Sequence, residues 1–141
     1  MNQFPLQKKT VNVINAGAVG SASWTAGTIV GLDTENYIGL AIAYTKGGEA
    51  GVNIKVEGTL DVSLGAATSA HNATNWYQLT VASTTGGTTT LTQNVYQMTA
   101  TGNYTEIIWP LKADGIKVSY EAVTPSGGAG MVSVWLISSW V

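Results

Sequence analysis

The stretch that decides the fold is Val52-Asn53-Ile54-Lys55-Val56-Glu57-Gly58-Thr59-Leu60-Asp61-Val62-Ser63-Leu64. Apart from Gly58, apolar residues occupy every second position, and polar or charged residues occupy the positions between them. A period of two is typical of a strand with one buried and one solvated face. Gly58 stands at an apolar position, where we expect a bend or bulge that lets a long strand curve. The pattern therefore predicts a half-buried β-strand over residues 52–64.

Two pairs of alternating segments flank glycine-rich loops. Residues 37–44 precede the loop 45–51 and the strand just described, and we expect these two strands to form a hairpin. Residues 116–122 and 131–141 are expected to form a second hairpin around another glycine-rich loop. Further strands are expected at residues 10–15, 24–30, 76–83, 88–93 and 104–111. About eight short antiparallel strands predict an all-β, single-domain jelly roll or β-sandwich.

Helical periodicity is missing from the sequence. Residues 63–73 are rich in alanine, but glycine, serine, threonine and asparagine interrupt them, so we expect a loop with one helical turn at most. We divide the chain into an extended N-terminal arm at residues 1–9 and a β jelly-roll domain at residues 10–141.

Composition excludes several classes of protein. The 141 residues include no cysteine and no arginine, only 10% are charged, and the net charge is -2; an average domain has about 25% charged residues. Six lysines along the chain cannot form the basic face that nucleic-acid binding requires. No apolar run approaches the roughly 20 residues of a membrane helix. The first residues lack the apolar core of a signal peptide, so we expect a soluble protein made in a cytoplasm.

Both ends of the chain carry apolar residues with no obvious cover. Phe4, Pro5 and Leu6 lie in the N-terminal arm, which is either a frayed terminus or a segment that docks on a neighbouring subunit. In the C-terminal strand, Val132, Val134, Leu136 and Trp140 share one face, and Met131, Trp135, Ile137 and Val141 share the other. A loop or another subunit must cover the second face, and we favour a subunit. The candidate interface residues of the C-terminal strand as a whole are Met131, Trp135, Ile137 and Trp140.

Residues for catalysis or for a cofactor are not evident. His71 is the single histidine, and we expect it to be exposed in a loop. Zinc requires three or four His, Cys or carboxylate ligands, and no Gly-x-Ser-x-Gly nucleophile elbow is present. Glu57 and Asp61 share the polar face of a predicted strand, where ordinary surface charge explains them. We expect no enzyme, no metal and no cofactor.

Aromatic residues offer one small-ligand hypothesis. Trp24, Trp76 and Tyr77 lie in or beside loops, and such rings can stack on sugars. Jelly-roll sandwiches commonly host carbohydrate-binding modules. Tryptophan and tyrosine also fill β cores and protein interfaces, so both interpretations stay open.

The sequence resembles the small jelly-roll decoration (cement) proteins of tailed bacteriophage capsids. The resemblance rests on Asp114-Gly115-Ile116-Lys117-Val118-Ser119-Tyr120, a glycine-rich loop, and Val132-Ser133-Val134-Trp135-Leu136. It implies a virion structural protein that binds the major capsid protein, sits on the shell as a homotrimer and clasps its neighbours with extended arms. The alternative is a tail, fibre or carbohydrate-binding module that recognises a glycan.

Overall fold

The computed structural model describes residues 8–31, 37–78, 81–83, 95–108 and 113–139. These residues form eleven β-strands and one 3₁₀ turn. The elements are β1 (Lys8–Val19), β2 (Thr25–Ala26), β3 (Val30–Gly31), β4 (Tyr37–Thr45), β5 (Gly51–Thr59), the 3₁₀ turn (Ala70–Asn72), β6 (Tyr77–Gln78), β7 (Val81–Ser83), β8 (Val95–Met98), β9 (Gly102–Ile108), β10 (Gly115–Val123) and β11 (Gly130–Ser139).

The strands form two antiparallel sheets that pack on each other. Sheet A has the order β1-β11-β4-β9-β7, and sheet B has the order β2-β10-β5-β6, with β3 also on β10 and β8 also on β5. The chain crosses between the sheets from β4 to β5 and again from β10 to β11. This is the double-sheet connectivity of a jelly roll, and the predicted fold class is confirmed.

The two expected hairpins are instead arches between the sheets. β4 pairs with β11 and β9, whereas β5 pairs with β10, β6 and β8. The hairpin predictions were wrong because a long glycine-rich loop can either turn back or cross the sandwich, and the pairing of distant strands decides between the two. The two arches contact each other, since the Gly48 N–H donates to the Gly128 carbonyl at 2.7 Å.

The core consists of the alternating residues that the sequence pattern indicates. The inward positions of β4, β5, β10 and β11 are all but inaccessible, with Leu40, Val52, Val118 and Leu136 each 0% exposed. β1 departs from strict alternation. A register shift against β11 between Asn12 and Ile14 lets the consecutive residues Val13 and Ile14 both face the core.

The strand predicted over residues 52–64 ends at Thr59. It pairs with β10 in continuous register through Gly58, so no bulge interrupts the strand at that glycine. A turn follows, in which the Leu64 N–H donates to the Leu60 carbonyl. Val62 and Leu64 are therefore exposed, by 36% and 76%, and the prediction that they face the core was wrong.

Two other predicted strands are divided. The stretch 24–30 contains two short strands, β2 and β3, which both pair with β10. The strand is interrupted between them because the chain turns away from β10 there, and the Thr28 N–H donates to the carbonyl of Val13 in the other sheet. The stretch 76–83 contains β6 in sheet B and β7 in sheet A. The predicted strand at residues 88–93 lies outside the described residues. The loop prediction for residues 63–73 is confirmed, with its single 3₁₀ turn at Ala70–Asn72.

Of the predicted N-terminal arm, residues 1–7 lie outside the described residues. Lys8 and Lys9 already belong to β1, where they pair with Ser139 and Ser138. In the part of the chain that the structure describes, no helix is long and apolar enough to cross a membrane.

Candidate functional site

A cleft with a tryptophan at each side lies on the outer face of sheet B. Trp24 precedes β2, which pairs with β10 at one edge, and Trp76 precedes β6, which pairs with β5 at the other. We call this surface the tryptophan cleft; it has a volume of about 480 Å³. Its lining residues are Trp24, Asn53, Lys55, Glu57, Trp76, Gln78, Val95 and Glu121.

A continuous series of charges joins the two indole rings. The Lys55 ammonium lies 4.5 Å from the centre of the Trp24 ring, and the Lys117 ammonium lies 4.5 Å from the centre of the Trp76 ring. Glu57 Oε1 is 3.6 Å from Lys55 Nζ and 4.0 Å from Lys117 Nζ. Each exposed cation–π contact contributes roughly 0.5–1 kcal/mol, and a surface ion pair adds little more. The series therefore fixes ring positions more than it stabilises the fold.

A second row of polar groups follows the same face. The Gln97 amide donates to Asn53 Oδ1 at 3.1 Å, and the Asn53 amide donates to Glu121 Oε1 at 3.1 Å. Each of these groups is fixed by its neighbour, while carboxylate and amide oxygens retain lone pairs for a further partner. The cleft thus presents hydrogen-bonding groups beside two aromatic rings.

The loop that carries Trp76 is held by a buried carboxylate. Asp61 accepts hydrogen bonds from the Thr74 N–H at 2.8 Å, the Asn75 N–H at 3.0 Å and the Asn75 side-chain amide at 3.1 Å. These bonds from Asn75 and Thr74 hold the pKa of Asp61 below its ordinary value. Asp61 is therefore not a strand-surface residue beside Glu57, as the alternation suggested. It is 3% exposed because the strand has already ended.

Tyr77 does not belong to the tryptophan cleft. Alternation in β6 turns its ring toward the hydrophobic core while Trp76 faces outward. Burial, with a smaller contribution from Asp114, raises the pKa of Tyr77. The Trp76 Nε1–H donates to the Ala73 carbonyl at 3.2 Å, which fixes the indole against its own loop. Of the three aromatic residues singled out in the sequence, the structure brings together Trp24 and Trp76.

A different surface occupies the outer face of sheet A. Trp135 lies across from Ala41, and Ala41 lies across from Thr105. The small alanine floor leaves a groove of about 560 Å³ beside the Trp135 ring. Among the described residues its lining is uncharged and consists of Ala41, Ile42, Ala43, Asn103, Tyr104, Thr105 and Trp135.

The predicted interface residues of β11 flank this groove. Met131 is 52% exposed, and Trp135 and Ile137 are half-buried. We call the outer face of sheet A, with these three residues, Ala41 and Ala43, the apolar face. Trp140 and the arm residues Phe4, Pro5 and Leu6 lie outside the described residues.

His71 is exposed, as expected. His71 lines a cleft with Ser69 and Asp114, and Asp114 accepts a hydrogen bond from the Ser63 hydroxyl. No hydrogen bond joins His71 to a serine or to Asp114 within the described residues, so the nucleophile–base–carboxylate relay of a triad is not assembled there. The described chain also contains no group of three or more His, Asp or Glu side chains placed to hold a metal ion.

Comparisons of the chain with protein-family models, with curated proteins and with solved structures found no match.

Proposed function

We propose that this chain is a non-enzymatic structural domain that works by assembling with other copies of itself and with a larger protein shell. In its specific form, the proposal is a virion protein that decorates a phage head as a homotrimer and binds the major capsid protein. The observation that carries the assembly function is the apolar face of sheet A.

The composition of the apolar face supports association with protein. Aromatic residues and methionine are enriched in protein interfaces, and charged residues are depleted at their centres. Trp135 and Met131 provide the large side chains, while Ala41 and Ala43 leave space for a partner to approach the sheet closely. Burial of such surface stabilises a complex by about 25 cal/mol for each Å² of apolar area removed from water, before the cost of association.

The viral part of the proposal draws on the jelly-roll architecture and on the sequence resemblance. Jelly rolls serve as viral capsid domains and also as lectins, so the fold alone does not choose between them. A protein that binds the assembled shell in preference to its free subunits stabilises the shell by mass action. The domain needs only complementary surface for this role.

The test compares one substitution on each outer face. Trp135→Glu places a charge at the centre of the apolar face, and Trp24→Glu places the same charge on the tryptophan cleft. Light scattering on a sizing column should show that Trp135→Glu dissociates the oligomer and that Trp24→Glu does not. Circular dichroism checks that both variants keep the β fold. Equal oligomer content in the two variants would contradict the proposed interface.

A further inference from the structure

We propose that the tryptophan cleft is a binding site for a neutral oligosaccharide. This site lies on sheet B and is independent of the assembly function proposed for sheet A. The inference rests on the two indole rings, the polar row between them and the balance of charge in the cleft.

The indole rings provide the apolar part of the site. A ring face carries partial negative charge and attracts the weakly positive C–H groups on a sugar face. Trp24 remains 37% exposed although Lys55 lies over its ring. Trp76 is partly exposed, and its N–H is already bonded to its own loop. Both rings are therefore held in place before a ligand arrives, which lowers the entropy lost on binding.

The polar row provides groups that suit hydroxyls. A sugar hydroxyl both donates and accepts, so it requires acceptors and donors close together. Glu57 on β5 and Glu121 on β10 supply carboxylate oxygens, and Asn53, also on β5, adds an amide that donates to Glu121. Lys55 and Lys117 supply ammonium donors beside Glu57. Few polar groups at fixed positions beside apolar walls are typical of small-ligand sites, and the volume of about 480 Å³ falls within their range.

Charge selects the class of sugar. The two lysines and two glutamates around the cleft sum to zero, and Glu57 lies between both ammonium groups. A charged ligand would meet groups of its own sign in the cleft, and it would have to compete with the ion pairs that Glu57 already makes with Lys55 and Lys117. A neutral polyhydroxylated ligand meets neither penalty. We therefore assign the site to neutral hexose units, not to uronic or sialic acids.

The experiment is a glycan array probed with the full chain, followed by calorimetry with the best ligand. The array carries neutral hexose oligosaccharides, uronic acid oligosaccharides and sialylated glycans. We expect binding to neutral oligosaccharides. Trp24→Ala and Trp76→Ala should each weaken it by about tenfold, which corresponds to the loss of one aromatic stacking contact.

The matched control is Trp135→Ala, which removes the same side chain from the opposite face of the sandwich. It should leave sugar affinity unchanged. Because Trp135 lies on the apolar face and not in the tryptophan cleft, loss of assembly in this variant can be told apart from loss of sugar binding. Circular dichroism confirms that each variant is folded. Binding to acidic glycans alone, equal losses in all three variants, or no binding to any glycan on the array would each overturn the inference.

Discussion

Glu49 is a buried carboxylate that joins the two arches at one end of the sandwich. It is 1% exposed and accepts hydrogen bonds from the Tyr44 hydroxyl at 2.7 Å and from the Gly47 and Gly130 N–H groups at 3.0 Å each. Burial alone would raise the pKa of Glu49, but these bonds outweigh it and hold the pKa below its ordinary value of 4.5. Burial and the adjacent carboxylate raise the pKa of Tyr44.

Glu49→Gln should lower the free energy of unfolding by about 2 kcal/mol at neutral pH, because an amide cannot replace a buried carboxylate that accepts from several donors. The lowered pKa determines how the contribution of Glu49 to stability changes with pH. A carboxyl group with a lowered folded-state pKa stabilises the fold above its unfolded-state pKa, and that contribution disappears as pH falls through the folded-state pKa.

Urea unfolding of the native chain and the Gln variant from pH 7 to pH 3 measures this difference. The two stabilities should converge toward the acid end of the series. A gap that stays constant over the whole range would show that Glu49 is not the titrating group.

At the scale of elements, the two arches connect the sheets at one end of the sandwich. The arch between β4 and β5 packs directly on the arch between β10 and β11, with backbone against backbone. A Cβ added at Gly48 would collide with the backbone carbonyl of Ser126, whereas a Cβ at Gly128 would meet open space. The effect of adding a side chain to the arches therefore depends on which glycine is replaced.

Gly48→Ala should destabilise the fold by roughly 1–3 kcal/mol, because the backbone of one arch must move away from the other. Gly128→Ala in the same pair of arches should change stability by no more than about 0.5 kcal/mol. Thermal or urea unfolding of the two variants measures the contrast. Similar stability in both would mean that the arches are not packed as described.

The elements also show what could be predicted from the sequence. Alternation correctly identified the buried face of β4, β5 and β10, because side-chain direction in a strand is a local property. It could not reveal the arches, since strand partners are set by contacts between distant residues. It also extended β5 too far, because Asp61 turns inward to bind Thr74 and Asn75, which lie well along the chain.

The candidate site was accessible to sequence reasoning only in part. Trp24 and Trp76 could be singled out by residue type. Glu57, which lies between Lys55 and Lys117, was interpreted as ordinary surface charge, because only the pairing of β5 with β10 places Glu57 across from Lys117. Tyr77 was grouped with Trp76 as its neighbour in sequence, although adjacent strand residues face opposite ways.

At the scale of the whole molecule, the two outer faces differ in chemistry. In the part of the chain that the structure describes, the groove on sheet A is lined by uncharged side chains, whereas the cleft on sheet B is lined by Lys55, Glu57 and Glu121. A domain with two such faces could join an assembly through one and present the other outward. The assembly proposal and the sugar-site proposal concern different faces of the domain, so each can be tested without the other.

The N-terminal arm adds a prediction at this scale. Within the described residues, β1 pairs with β11 from Lys8 onward, and Val13, Ile14 and Val19 bury their side chains in the core. We predict that deletion of residues 1–7 leaves this part of the fold, and the melting temperature of the domain, nearly unchanged. If Phe4 and Leu6 dock on a neighbouring subunit, the same deletion should weaken self-association, as measured by sedimentation over a concentration series. Full association without these residues would remove the arm from the proposal.

The most direct test of the central claim is the native mass of the unmodified chain, measured by light scattering on a sizing column. The account predicts a stable trimer with three times the 14.6 kDa mass of one chain, which would cover the apolar face of sheet A. A single species with the mass of one chain at every concentration tested would contradict the account and leave Trp135 and Met131 exposed to water.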